Sequence, residues 1–171
     1  MQQEILRLLF IKSGKSLNQL QIARFLKVSQ PAIMKSLPKL GQEEYIKSSQ
    51  DKETKRWSIG LNRNNPQIMQ LKKIDNLRLI YESNLADYLE EKFAETTIIL
   101  FGSYSRGEDI INSDIDIAII GRKDKLIDLS SYENILERKI NINCYDSLKN
   151  INKHLKENLF NGILLAGGFE I

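Results

Sequence analysis

Two aspartates, Asp114 and Asp116, stand one residue apart in the apolar stretch SDIDIAII. On a strand, alternate side chains share a face, so both carboxylates point one way while Ile115 points into the core. Their Cα atoms then lie ~6.6 Å apart, two steps of a strand's rise. Carboxylates that close are costly unless something positive sits between them, and Mg²⁺ with bound phosphates suits such a pair. A second apolar run, TTIILF, ends at Gly102-Ser103, and ten residues separate Ser103 from Asp114. Gly102 permits positive φ or a close approach of backbone to ligand. Ser105-Arg106-Gly107 reads as the start of a short helix, whose free N–H groups favour phosphate. Arg106 adds a charge-assisted contact. Phe101 to Ile119 thus joins a phosphate-gripping turn to a metal-holding pair.

Gly-Ser, a spacer of about ten residues, then Asp-x-Asp resembles the signature of the DNA polymerase beta-like nucleotidyltransferase superfamily. The stretch looks most like the minimal nucleotidyltransferases, whose domain would cover Leu85 to the C-terminus. The resemblance implies a nucleoside triphosphate, with ATP expected, and Mg²⁺ or Mn²⁺. An acceptor hydroxyl attacks the α-phosphate and pyrophosphate leaves, in an in-line displacement helped by metal. Carried over, Asp114 and Asp116 are catalytic metal ligands, and Gly102, Ser103 and Arg106 hold the β- and γ-phosphates. The family places a third carboxylate on the strand after the intervening helix. Here that strand reads KININ, and Asn141, in preference to Asn143, takes the position of the expected acid. Asparagine offers a metal a neutral oxygen but cannot act as a general base. Glu137 and Asp146 are the nearby acids that could be recruited instead.

These residues need a sheet to position them. Thr96–Phe101, Asp114–Ile120, Lys139–Cys144 and a short closing strand over 162–166 are the expected strands. Helices are expected over Leu129–Arg138, capped by Asp128, and over Leu148–Leu159. The pattern fits an α/β (α+β) domain, a small mixed sheet with helices on one face. Ahead of it, one long helix is expected from Pro66 to Phe93, with Ile68, Leu71, Ile74, Leu77, Tyr81, Leu85 and Tyr88 as its apolar stripe. Its first half could pair with a second copy, giving a homodimer.

The first third reads differently. Gln2–Lys12 is an amphipathic helix. A second helix runs Leu17–Leu26 from a Ser16 cap, with Leu20, Ile22, Ala23, Phe25 and Leu26 inward. A third follows Ser29 to about Leu40, with Pro31 in its first turn and a kink expected at Pro38. Glu44–Ser49 and Lys55–Leu61 then alternate like strands around a polar tip. Three helices and a hairpin resemble a winged helix-turn-helix domain. The domains are read as 1–64, a connecting helix 65–84, and 85–171.

Charge follows the same division. Residues 1–65 hold 12 Lys and Arg against 5 Asp and Glu, a net of +7, while the remainder is net −4. A basic module suggests a polyanion, and the winged-helix likeness implies DNA. Gln30 is placed for a base edge, Lys35 and Lys39 for phosphates, and Lys52, Lys55 and Arg56 for the wing's contact with backbone or minor groove. Trp57 is expected in the core of the wing. One cysteine, Cys144, excludes an internal disulfide, and with one histidine, His154, argues against zinc. No apolar run is long enough to span a membrane and no signal peptide is evident, so a cytoplasmic setting is expected. Three functions compete: a DNA-associated nucleotidyltransferase, a DNA-binding regulator whose degenerate transferase fold senses nucleotide, and an antitoxin-like modifier of a partner protein.

Overall fold

The structure is a computed structural model and describes residues 1–168. The chain divides into two compact units, Met1–Lys72 and Lys73–Ile171.

The first unit is helical with a two-stranded wing. Helices α1 (Gln2–Ile11), α2 (Gln19–Leu26) and α3 (Gln30–Gln42) precede β1 (Ile46–Gln50) and β2 (Trp57–Leu61), which pair antiparallel. Ile5, Leu9, Ile22, Ile33, Leu40 and Ile59 are fully buried together. Helix α2 starts two residues later than expected. Leu17 is drawn out of it into a bridge with Ile59, each N–H donating to the other's carbonyl at 2.8 Å. Asn18 caps α2 instead of Ser16, in a reciprocal box. Its Oδ1 accepts from Gln21 N–H at 2.9 Å, and Gln21 Oε1 accepts from Asn18 N–H at 2.8 Å. Leu20 and Phe25, expected inward, are exposed. Ser29 caps α3, whose helix continues through Pro38.

Trp57 is 38% exposed, contrary to its expected place in the wing core. It opens β2 opposite Gln50, at the last pair before the hairpin tip. The helical layer covers Ile59 and Leu61 and leaves the indole partly open.

The single long helix is replaced by two. Helix α4 (Pro66–Glu82) stops at Ser83–Asn84, where Asn84 takes left-handed φ 60°, and α5 (Leu85–Lys92) begins afresh. Asn tolerates that conformation better than most residues. Ile68 and Leu85 of the expected stripe are buried, Leu71, Ile74 and Tyr81 are exposed, and Ile80, Leu89 and Phe93 also enter a core.

The second unit is built on a four-stranded mixed sheet ordered β5-β4-β3-β6. The strands are β3 (Thr97–Phe101), β4 (Ile115–Ile120), β5 (Ile140–Tyr145) and β6 (Ile163–Ala166). β3 runs antiparallel to β4 and β6, and β4 runs parallel to β5. The parallel pair needs a crossover, which α7 (Ser130–Leu136) supplies. Short α6 (Gly102–Arg106) leaves directly from β3, and α8 (Lys153–Phe160) precedes β6. Ile98, Leu100, Ile115, Ile117 and Ile119 pack with α5 on one face, whereas Ile99, Ala118 and Ile120 pack with Ile151 and Leu159 on the other. Helices on one face alone is therefore corrected. Central strands that are apolar at every position must be covered on both sides. The segment expected as one helix from Leu148 is a 3₁₀ turn (Leu148–Asn150) followed by α8, which Asn152 caps through Leu155 N–H at 2.9 Å. Among the described residues no helix is long and apolar enough to cross a membrane.

Candidate functional site

The end of β3 and the beginnings of β4 and β5 meet at one place. In register, Phe101 pairs with Asp116, and Asp116 with Asn141. Asp114 immediately precedes β4. Asn141 Nδ2 donates to Asp114 Oδ2 at 3.1 Å and to Asp116 Oδ1 at 3.3 Å. One amide thus spans both carboxylates. Asp114 and Asn141 are exposed and Asp116 half-buried, so the cluster opens to solvent.

Gly102 closes the other side of Asp116. Its φ is +76°, and a Cβ built there would stand 2.6 Å from Asp116 Oδ2. Neither that conformation nor that approach admits a side chain without displacement. The turn is tied by Ser105 Oγ donating to Gly102 O at 2.9 Å and by Glu108 N–H donating to Ser103 O at 2.9 Å. Ser103 is half-exposed beside the cluster's turn. Arg106 is exposed and its Nε lies 2.7 Å from Glu108 Oε2, so phosphate would compete with an existing partner.

Two polar arrangements that the sequence reading did not single out hold the strands in place. Glu133 on α7 accepts Ile140 N–H at 3.0 Å and Lys139 Nζ at 2.7 Å, which lowers its own pKa and raises that of Lys139. Under the sheet, Asp109 and Arg138 form a buried pair, Oδ2 to NH2 3.4 Å, with side chains 1% and 2% exposed. Asn76 Nδ2 donates to Asp109 Oδ1 at 2.7 Å and to Tyr104 O at 2.9 Å. Burial, and then the Asp109 charge, push the Tyr104 phenol upward. In sequence all of these are ordinary polar residues in polar stretches. Only the fold buries Asn76, Asp109 and Arg138.

Of the acids considered as substitutes for Asn141, Glu137 lines a cavity of about 310 Å³ together with Asp114. Asp146 lies beyond the far end of β5, beside Lys123 and Cys144. Among the described residues no group of three or more His, Cys, Asp or Glu could hold a metal ion. Two carboxylates with an amide oxygen are nonetheless hard donors of the kind that Mg²⁺ or Mn²⁺ takes.

In the first unit, Gln30, Lys55, Arg56 and Trp57 line one cavity of about 410 Å³ with Asn18 and Gln19. Lys35, Lys39 and Lys52 are exposed but do not line it.

Among solved structures, the chain is similar to the adhesin competence repressor AdcR from Streptococcus pyogenes. Identity is 18% over 53% of this chain and 66% of that one, just under two thirds, with a TM-score of 0.41. It is also similar to MepR of S. aureus in complex with DNA, at 21% identity over 53% of this chain and 74% of that one, with a TM-score of 0.39. Residues 82–164 match the nucleotidyltransferase domain family. A relative from Methanocaldococcus jannaschii, provisionally named protein adenylyltransferase MJ0126, is 37% identical over 78 residues, 42% of this chain and 80% of that protein. The domain match spans Gly102, Asp114 and Asp116, a relative is matched over most of its own length, and the chain belongs to the nucleotidyltransferase family.

Proposed function

We propose that the second unit transfers a nucleoside monophosphate, AMP from ATP, to an acceptor, and that the first unit binds DNA. The transfer reading is carried by the convergence of Asp114 and Asp116 beside the side-chain-free turn at Gly102. Asp114 and Asp116 would hold a divalent cation, and the Asn141 amide, whose Nδ2 faces them in the structure, would turn over to offer its oxygen as an added neutral ligand. When bound, such an ion neutralises triphosphate charge and polarises the phosphorus under attack. Gly102 and Ser103 take the β- and γ-phosphates through backbone at a turn that the absent Cβ lets sit against the Asp116 carboxylate. Arg106 joins them by exchanging Glu108 for phosphate. Asn141 cannot accept a proton, so within the Asp–Asn–Asp cluster the bases for an attacking hydroxyl are the two carboxylates. The relative's name favours a protein acceptor.

The test is transfer of label from α-labelled nucleoside triphosphates with Mg²⁺ or Mn²⁺, in the presence and absence of host lysate. Label should move to a macromolecule, and Asp114→Asn/Asp116→Asn should abolish the movement. Protein that binds cation and nucleotide yet moves no label would support the second reading, a nucleotide-responsive regulator. Asn141 in place of an acid is the observation that favours it.

DNA binding rests on the +7 charge of residues 1–65 and on the cavity where Gln30, Lys55 and Arg56 converge. Binding to a mixed-sequence duplex should be detectable by fluorescence anisotropy at low salt and weaken steeply as salt rises. Lys55→Ala/Arg56→Ala should reduce the slope of log K against log salt by about 2, one for each lost phosphate contact. An unchanged slope would remove these residues from the interface.

A further inference from the structure

The buried Asp109–Arg138 pair has no part in the chemistry above, yet it sits on both chain segments that deliver the carboxylate cluster. Asp109 lies in the loop between α6 and β4, five residues before Asp114. Arg138 lies three residues before Asn141, at the entry to β5. Their side chains meet at 3.4 Å. Each is tied further. Asn76 donates to Asp109 at 2.7 Å, and Arg138 NH1 donates to the Glu137 carbonyl at 2.9 Å. Next to them the loop folds on itself, with Ile110 N–H to Ser113 Oγ and Ser113 N–H to Ile110 O, both at 2.9 Å. Ile115 N–H then joins Lys139 O at 2.8 Å.

A buried ion pair is a poor way to gain stability. Desolvation offsets most of the attraction, and apolar residues of similar volume often serve as well or better. What such a pair supplies is definition: partially satisfied alternatives are costly, so one arrangement is selected. Here the arrangement selected is the register of the Asp114 loop against the Asn141 strand. The Asn141 amide reaches both carboxylates only while that register holds.

Resting on the cation-site reading above, we propose that Asp109 and Arg138 are positioning residues that hold Asp114 at ligating distance from Asn141 and Asp116. The pair sets cation affinity through the loop and touches neither cation nor nucleotide.

The experiment compares Asp109→Leu/Arg138→Met, which removes both charges, with Arg138→Lys, which keeps the charge on a shorter, single-pronged donor. Mn²⁺ binding is titrated by electron paramagnetic resonance, thermal stability is measured in parallel, and label transfer is resolved into kcat and KM. The double variant should melt a few degrees lower, because Asn76 loses one acceptor, yet stay folded while binding Mn²⁺ at least tenfold more weakly. Arg138→Lys should fall between. Loss should appear in kcat more than in KM for the nucleotide, because triphosphate contacts from Gly102 and Ser103 are untouched. Wild-type Mn²⁺ affinity and kcat in either variant that folds would overturn the proposal and leave the pair a plain core element. A wild-type protein that binds no Mn²⁺ would instead remove the cation site itself, and the pair's positioning role with it.

Discussion

Gly102→Ala is expected to lower label transfer about 100-fold, the scale on which a misplacement of ~1 Å acts at a reacting centre. Two effects combine. Alanine at φ +76° is strained by about 1–2 kcal/mol. The new methyl group would also meet Asp116 Oδ2 at 2.6 Å, well inside contact distance. The strain can relax only by moving the turn or the carboxylate, and both belong to the proposed site. Stability should fall by no more than the strain, a few degrees of melting temperature for a domain of this size. Mn²⁺ affinity should fall with transfer. A variant that melts several degrees lower but binds Mn²⁺ and transfers label normally would show that Gly102 serves the turn alone.

Asn141→Asp is expected to act in opposite directions with and without cation. In wild type the Asn141 amide donates to two carboxylates at 3.1 and 3.3 Å. Hydrogen bonds to charged acceptors contribute about 1.5–3 kcal/mol each when well made, and less where solvent reaches them, as here. Aspartate would replace both with repulsion among three carboxylates, and one of them should titrate abnormally high. Metal-free protein should therefore melt lower than wild type. With Mn²⁺ present the same three acids become a stronger ligand set, and affinity should rise about tenfold or more, since ligand charge tunes binding. Bound cation stabilises by mass action, so the Mn²⁺-dependent rise in melting temperature should be larger than in wild type. Transfer should increase if the third acid also serves as base. Thermal scans with and without Mn²⁺ decide the matter: equal shifts in both proteins would place residue 141 outside the cation site.

Much of the fold was legible because its signals are local. TTIILF and DIDIAII are short apolar runs bounded by turn chemistry, and they form β3 and β4 within one residue of the expected limits. Pro31 behind Ser29 marked the start of α3 for the same reason. The misreadings arose where tertiary contacts override local pattern. Leu17 has helical neighbours but is held by Ile59, which is 42 residues away. The apolar residues from Ile68 to Tyr88 keep a helical period across Ser83–Asn84, and periodicity cannot register one residue in the left-handed region. Trp57 alternates correctly with Ile59 and Leu61, but its exposure depends on how far the helical layer extends. At the site, the spacing of Gly102, Asp114 and Asp116 could be read directly. Asp109 and Arg138 could not, because their partners are distant in sequence and their residue types are those of any solvated loop.

The amide that spans Asp114 and Asp116 also bears on what metal scarcity does to this protein. A cluster of bare acids leans on its ion, and many small metal-dependent domains unravel when a chelator removes it. Here a neutral side chain already lies between the charges, and the sheet beneath is closed by apolar packing. On the proposed cation reading, starvation for divalent ions would therefore silence the chemistry without feeding the protein to proteases. Its abundance would stay constant, and activity would return as soon as the ion did, with no new synthesis required.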